Sequence, residues 1–234
     1  MTDQNRGPFA SGGMSKEGTT TVVNINEPEL DYVDKKVVCS AICKCKDTPD
    51  VGKDGRSLKQ ACVSGRLKVV DQALQHRSPY KPEVNYDMTK EPPAPIMDSS
   101  VETKGHDWLP GWIKKWWAED PEHPPFQPGQ GMIRRPDVVI VKDPTKPPTQ
   151  DNIKQVVEVK FPPDTVSQAQ KDDYKRIAGD VDVVTMTPDK CDCDKPEPDQ
   201  PKIPVEDIGT LGAIGWLLMT ILGRKPPRGP VPQF

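Results

Sequence analysis

The clearest alternation of apolar and polar positions lies between residues 131 and 187. Val138-Val139-Ile140-Val141 is an unbroken apolar run flanked by Pro136-Asp137 and Lys142-Asp143, which predicts a short strand buried on both faces. A polar loop with prolines follows from Pro144 to Gln150. Gln155 to Phe161 then alternates with period two. Val157, Val159 and Phe161 share one face, and Val156, Glu158 and Lys160 share the other. Pro162-Pro163 ends this strand. Asp164 or Thr165 can cap a helix that runs to about Ala178, with Gly179 as its stop. Val181 to Thr187 predicts a third strand. Strand, strand, helix, strand describes a mixed sheet with helical cover, of the α/β (α+β) class.

The pattern upstream is weaker. Leu58, Ala61, Cys62, Leu67, Val70 and Leu74 predict a helix over residues 57–75, interrupted by Gly65. Pro79 to Pro95 is rich in turns. A short helix around Trp108 to Ala118 places Trp108, Trp112 and Trp116 on one face, which reads as a docking face before a base-stacking platform. Residues 1–56 read as a polar arm or small accessory module, with short strands at Thr19 to Val23 and Lys36 to Ile42. The expected organisation is therefore an arm over 1–56, a principal domain over 57–223 with its core at 131–187, and a flexible tail over 224–234.

Composition changes this picture in two ways. Proline (28) and glycine (17) are abundant, hydrophobic residues make up only 34%, and mean hydropathy is −0.68, so a compact core with loosely structured proline-rich segments is expected, not a uniform globule. The net charge of −3 removes global basicity as a route to nucleic acid. Locally the balance reverses: Gly131 to Gly179 carries nine Lys/Arg against seven Asp/Glu.

Residues 1–15 show no secretory signal, and the apolar stretch Ile208 to Leu222 falls short of the roughly 20 residues a spanning helix needs. Synthesis in the cytoplasm, export by a route other than a signal peptide, and no stable transmembrane insertion are expected. Ile208 to Leu222 reads as a helix packed on the sheet or on a partner. The six cysteines, at 39, 43, 45, 62, 191 and 193, are compatible with free or structural thiols, disulfides or a metal site, and the first is the leading expectation. His76, His106 and His123 form no spaced cluster, which disfavours a histidine-based metal centre.

The chemistry concentrates on the second strand. Glu158 and Lys160 project from one side of the sheet, where a carboxylate and an amine are costly unless paired or metal-bound. Asp137 starts the preceding strand and can lie across from Glu158. The bland alternative is a turn-capping Asp137 and a solvated Glu158–Lys160 pair on an edge strand. Two carboxylates at a sheet end can instead hold a divalent cation through hard oxygen ligands. Such an ion polarises a phosphoryl oxygen, and the lysine orients water or offsets developing negative charge. That is equipment for phosphodiester hydrolysis.

Arg135-Pro136-Asp137, Glu158-Val159-Lys160 and Gln170-Lys171-Asp172-Asp173-Tyr174 together resemble the PD-(D/E)XK nuclease signature with a Q-x3-Y helix, most closely its VRR-NUC branch. The resemblance spans about residues 131–187 and implies a restriction-endonuclease-like mixed sheet flanked by helices. It implies Asp137, Glu158 and the Val159 carbonyl as ligands of Mg2+ (or Mn2+), and Lys160 as the group acting on the nucleophilic water. Gln170 and Tyr174 would line the site, and Arg134, Arg135, Lys171 and Lys175 would contact DNA. An acid on the first core helix is common in such enzymes; Asp71, Glu102 and Glu119 are the candidates here, and the choice stays open. The resemblance also extends to nuclease domains of bacterial toxins. It implies a type VI secretion effector working in the cytoplasm of a target bacterium, with DNA, secretion machinery and a cognate immunity protein as partners. Alternatives are a structure-specific repair or phage nuclease, a non-catalytic secretion adaptor, and a membrane-active toxin using residues 208–222.

Overall fold

The computed structural model describes residues 28–52 and 57–194. The expected strand at Thr19 to Val23, the apolar stretch Ile208 to Leu222 and the tail over 224–234 lie outside the described residues.

The core begins with two helices, α1 (Tyr32–Cys45) and α2 (Leu58–Ala73). Asp31 caps α1, its side chain accepting from the Asp34 amide at 2.9 Å. Three short strands follow: β1 (Tyr80–Pro82), β2 (Tyr86–Asp87) and β3 (Ala94–Pro95). The tryptophan-rich segment forms α3 (Leu109–Trp112) continuing into a π-helical turn over Ile113–Trp117. Then come β4 (Ile133–Arg134), β5 (Val138–Val141), β6 (Ile153–Val159), α4 (Gln168–Ala178) and β7 (Val183–Met186).

The principal sheet has the order β1-β5-β6-β7. β1–β5 and β5–β6 are antiparallel, and β6–β7 is parallel. A parallel neighbour needs a crossover, and α4 supplies it. Every residue of β5 is buried, as a central strand covered on both faces requires. A smaller antiparallel sheet, β3-β2-β4, forms between β1 and β5 and leads the chain into Arg135-Pro136-Asp137. This mixed α+β architecture is restriction-endonuclease-like.

The two faces of the principal sheet bury different cores. Val138, Ile140, Val157, Val159, Phe161, Val184 and Met186 pack under α1 and α2 against Val37, Val38, Ile42, Leu67 and Val70. Val139, Val141, Ile153 and Val156 pack under α4 against Tyr174, Ile177 and Ala178. The side-chain alternation read along β6 is the one observed.

Several local expectations are corrected. Lys36 to Ile42 is helical, not extended, and belongs to the main core, where Val37, Val38, Ala41 and Ile42 are buried. Chain beyond Phe161 makes a turn, Asp164 N–H donating to the Phe161 carbonyl at 2.9 Å, so α4 starts later than expected. Its cap is Ser167, whose hydroxyl accepts from the Gln170 amide at 3.2 Å. Gly179 does end α4, at φ +66°, where a Cβ would lie 2.7 Å from the Gln150 side chain. The expected single helix is instead a short α-helix continued by a π turn. Trp117 turns inward, stacked on His123 at 4.3 Å, while Trp108 and Trp116 stay exposed.

The cysteines are not free thiols. Cys39–Cys191, Cys43–Cys193 and Cys45–Cys62 are disulfides, with Cα–Cα distances of 5.1, 5.2 and 5.7 Å, inside the range such bonds need. Among the described residues no helix is long and apolar enough to cross a membrane.

Candidate active site

Register assembles the site. Val138 pairs with Val157 across antiparallel β5 and β6, so one step beyond the ladder places Asp137 opposite Glu158. The step is secured by the backbone: the Val159 N–H donates to Asp137 Oδ2 at 2.7 Å. In the next peptide along, the Val159 carbonyl accepts from Gln60 Nε2 of α2 at 3.2 Å.

Glu158 is 2% exposed. Its Oε1 accepts from Lys160 Nζ at 2.6 Å and from Gln170 Nε2 at 2.8 Å. Gln170 also donates to the Tyr174 hydroxyl at 3.1 Å, and that hydroxyl donates to the Arg135 carbonyl at 3.0 Å. One turn of α4 is thereby joined to β6 and to the segment that delivers Asp137. Gln170 and Tyr174 sit four apart, so both reach the same sheet face.

Electrostatics at this end of the sheet favour a cation. Glu158 Oε2 is buried without a hydrogen-bond partner, although a buried carboxylate oxygen ordinarily has one. Asp137 stays partly open to solvent, but protein atoms crowd its carboxyl. Burial, and then the facing Glu158 carboxylate, push it up to about 7 against the opposing pull of the Val159 N–H and Lys160. Burial and the two carboxylates also push the Tyr174 hydroxyl well above its ordinary value, so it remains a neutral donor. A raised Asp137 carboxyl facing a buried carboxylate with one oxygen lacking a donor has the chemistry of a divalent-ion site. Among the described residues no three His, Cys, Asp or Glu side chains cluster as metal ligands, so any such ion would rest on these two carboxylates and backbone or solvent oxygen.

The expected first-helix acid is not found at Asp71. Both its oxygens are engaged, Oδ1 by Lys81 Nζ at 2.9 Å and Ser78 N–H at 3.1 Å, and Oδ2 by His76 Nδ1 at 2.9 Å. Glu102 and Glu119 are exposed. The residue of α2 that reaches the site is Gln60, which sequence reasoning missed. It lies 99 residues from Val159, and no local pattern signals such a contact. Of the four expected DNA contacts, Arg134 is paired with Asp173 on α4, and Lys175 Nζ donates to the Val181 carbonyl at 3.0 Å. Arg135 is half exposed with Glu83 at 3.6 Å, and Lys171 is exposed.

Fold and geometry together define a nuclease-type domain with an acid pair and a lysine at one sheet end. A family model described as the VRR-NUC domain matches residues 66–187, just over half of the chain. The chain belongs to the VRR-NUC family, a PD-(D/E)XK-like nuclease domain. No curated protein and no solved structure matches it.

Proposed function

We propose that this chain is a divalent-metal-dependent DNA endonuclease that hydrolyses phosphodiester bonds at the Asp137–Glu158–Lys160 site. The observation that carries the reading is the buried Glu158 carboxylate across from Asp137, its Oε2 without a hydrogen-bond partner and Lys160 2.6 Å from its Oε1. Asp137 and Glu158, with the Val159 carbonyl, would hold Mg2+ or Mn2+. That ion supplies Lewis-acid polarisation of the scissile phosphate and acidifies water.

The chain's own groups do the rest. Lys160 orients the water that attacks phosphorus and offsets negative charge as the P–O bond to the leaving oxygen breaks. Gln170 fixes the Glu158 carboxylate, and Tyr174 anchors the strand entry through the Arg135 carbonyl. Lys171, exposed beside the site, is the better-placed phosphate contact; Arg134, Arg135 and Lys175 would have to leave Asp173, Glu83 and the Val181 carbonyl to contribute.

The setting proposed with this activity is an antibacterial toxin carried by a type VI secretion system and neutralised by a cognate immunity protein. Its support is the resemblance to toxin nuclease domains. The test is plasmid cleavage by purified full-length chain with Mg2+ or Mn2+. Cleavage is expected to stop with EDTA and to fall by at least about 100-fold in Asp137→Ala, Glu158→Ala and Lys160→Ala. Intact plasmid, linear and branched DNA under all these conditions would remove the enzyme reading. Chromosomal breaks in bacteria whose cytoplasm permits disulfide formation and that express the active chain, absent with the triple alanine variant, test the toxic role.

A further inference from the structure

All six cysteines are paired, and two of the bonds enclose the family domain. Cys39 and Cys43 lie on α1, before residues 66–187; Cys191 and Cys193 lie after them. These bonds join positions 152 and 150 residues apart, so α1 is tied to the chain leaving β7. The third, Cys45–Cys62, fixes the end of α1 to the first turns of α2.

This frame touches the site at two points. Cys62 lies two residues beyond Gln60, whose amide holds the Val159 carbonyl. The Lys160 N–H donates to the carbonyl of Met186, the last residue of β7, at 2.9 Å, and Cys191 N–H donates to the Thr187 carbonyl next to it at 3.2 Å. The peptide between Glu158 and Lys160 is therefore held from α2 on one side and from the cystine-bearing segment on the other.

We propose that the three disulfides are the working state of the site: oxidation braces the Val159–Lys160 backbone, and reduction slackens it. The inference rests on the nuclease reading given above. Each oxidation breaks two S–H bonds and forms one S–S bond. Two electrons and two protons pass to a disulfide donor, which leaves as a dithiol. Such bonds accumulate in oxidising compartments and are kept open by cellular dithiols in a reducing cytoplasm. The chain as first made in a cytoplasm is thus the slack form, and passage through an oxidising space completes it. Cys39 and Cys45 are buried, which slows the reverse exchange once the bonds exist.

The experiment uses full-length chain produced in an oxidising compartment. Thiol titration in denaturant should find no free thiol before reduction and six after it. Reduction and alkylation should lower Mg2+-dependent plasmid cleavage at least tenfold and speed hydrogen exchange at Val159, Lys160 and α1. Reoxidation of unalkylated protein should restore both. A variant with Cys39, Cys43, Cys191 and Cys193 all changed to Ser retains Cys45–Cys62 and guards against alkylation simply unfolding the chain; it should fall between the two forms. Six free thiols in the starting material would overturn the proposal. So would reduced protein that cuts at the oxidised rate with unchanged exchange at Val159. If the oxidised chain fails to cut DNA at all, the nuclease reading fails, while thiol count and exchange still judge the brace.

Discussion

The two faces of β6 are built from alternate residues of one strand and answer to different physics. On the α1/α2 face, Val157 and Val159 meet hydrocarbon and cystine sulfur, and every contact stabilises by removal from water. On the α4 face, Val156 continues the core, but Glu158 replaces it one step on and keeps an unpaired oxygen in the interior. Burying that carboxylate costs free energy, and Lys160 and Gln170 offset only part of the cost. A fold retains such a cost where the group does something other than hold the chain together.

The contrast breaks most sharply at adjacent residues. Glu158→Gln should reduce cleavage by at least about 100-fold while changing metal-free stability by less than about 1 kcal/mol, since Asp137 then ionises and becomes the partner of Lys160. Val157→Ala, its neighbour, should do the reverse: about 2 kcal/mol lost in denaturant unfolding, with cleavage per folded molecule retained. Equal losses of activity in both variants would mean that the faces are not separable.

A smaller effect is expected at Gln170, which hydrogen-bonds to the Glu158 carboxylate and to the Tyr174 hydroxyl. Gln170→Ala should lower kcat roughly 10- to 100-fold and leave KM for DNA nearly unchanged, as for a group that orients a ligand. A rise in KM with kcat intact would instead make Gln170 a direct substrate contact.

What the sequence revealed follows the same division. The four apolar residues of β5, the alternation in β6 and the Gly179 stop are local signals, and the Asp137–Glu158–Lys160 grouping follows from them by register alone. Lys36 to Ile42 reads as extended because Val37, Val38 and Ile42 are β-branched, while the helical form of this segment depends on burial and on covalent ties to residues about 150 positions away. β1 to β3 are two or three residues long within a proline-rich stretch, too short for any period to show. Cysteine spacing does not encode pairing, so the three disulfides could not be assigned from the sequence. Gln60 was invisible for the same reason as α1: its role lies in a contact across the fold.

The central claim is that Asp137 and Glu158 jointly hold a divalent cation, and Mn2+ binding to oxidised full-length chain measured by calorimetry as a function of pH tests it most directly. Asp137 keeps a proton in the folded chain up to about 7, against 3.8 for an ordinary aspartate, so metal-free stability should fall as pH rises between those values. The ion must displace that proton, so affinity should weaken about tenfold per pH unit below 7 and level off above it. Asp137→Ala and Glu158→Ala, still folded, should bind no Mn2+ at this site. Undiminished, pH-independent binding in either variant would contradict the account.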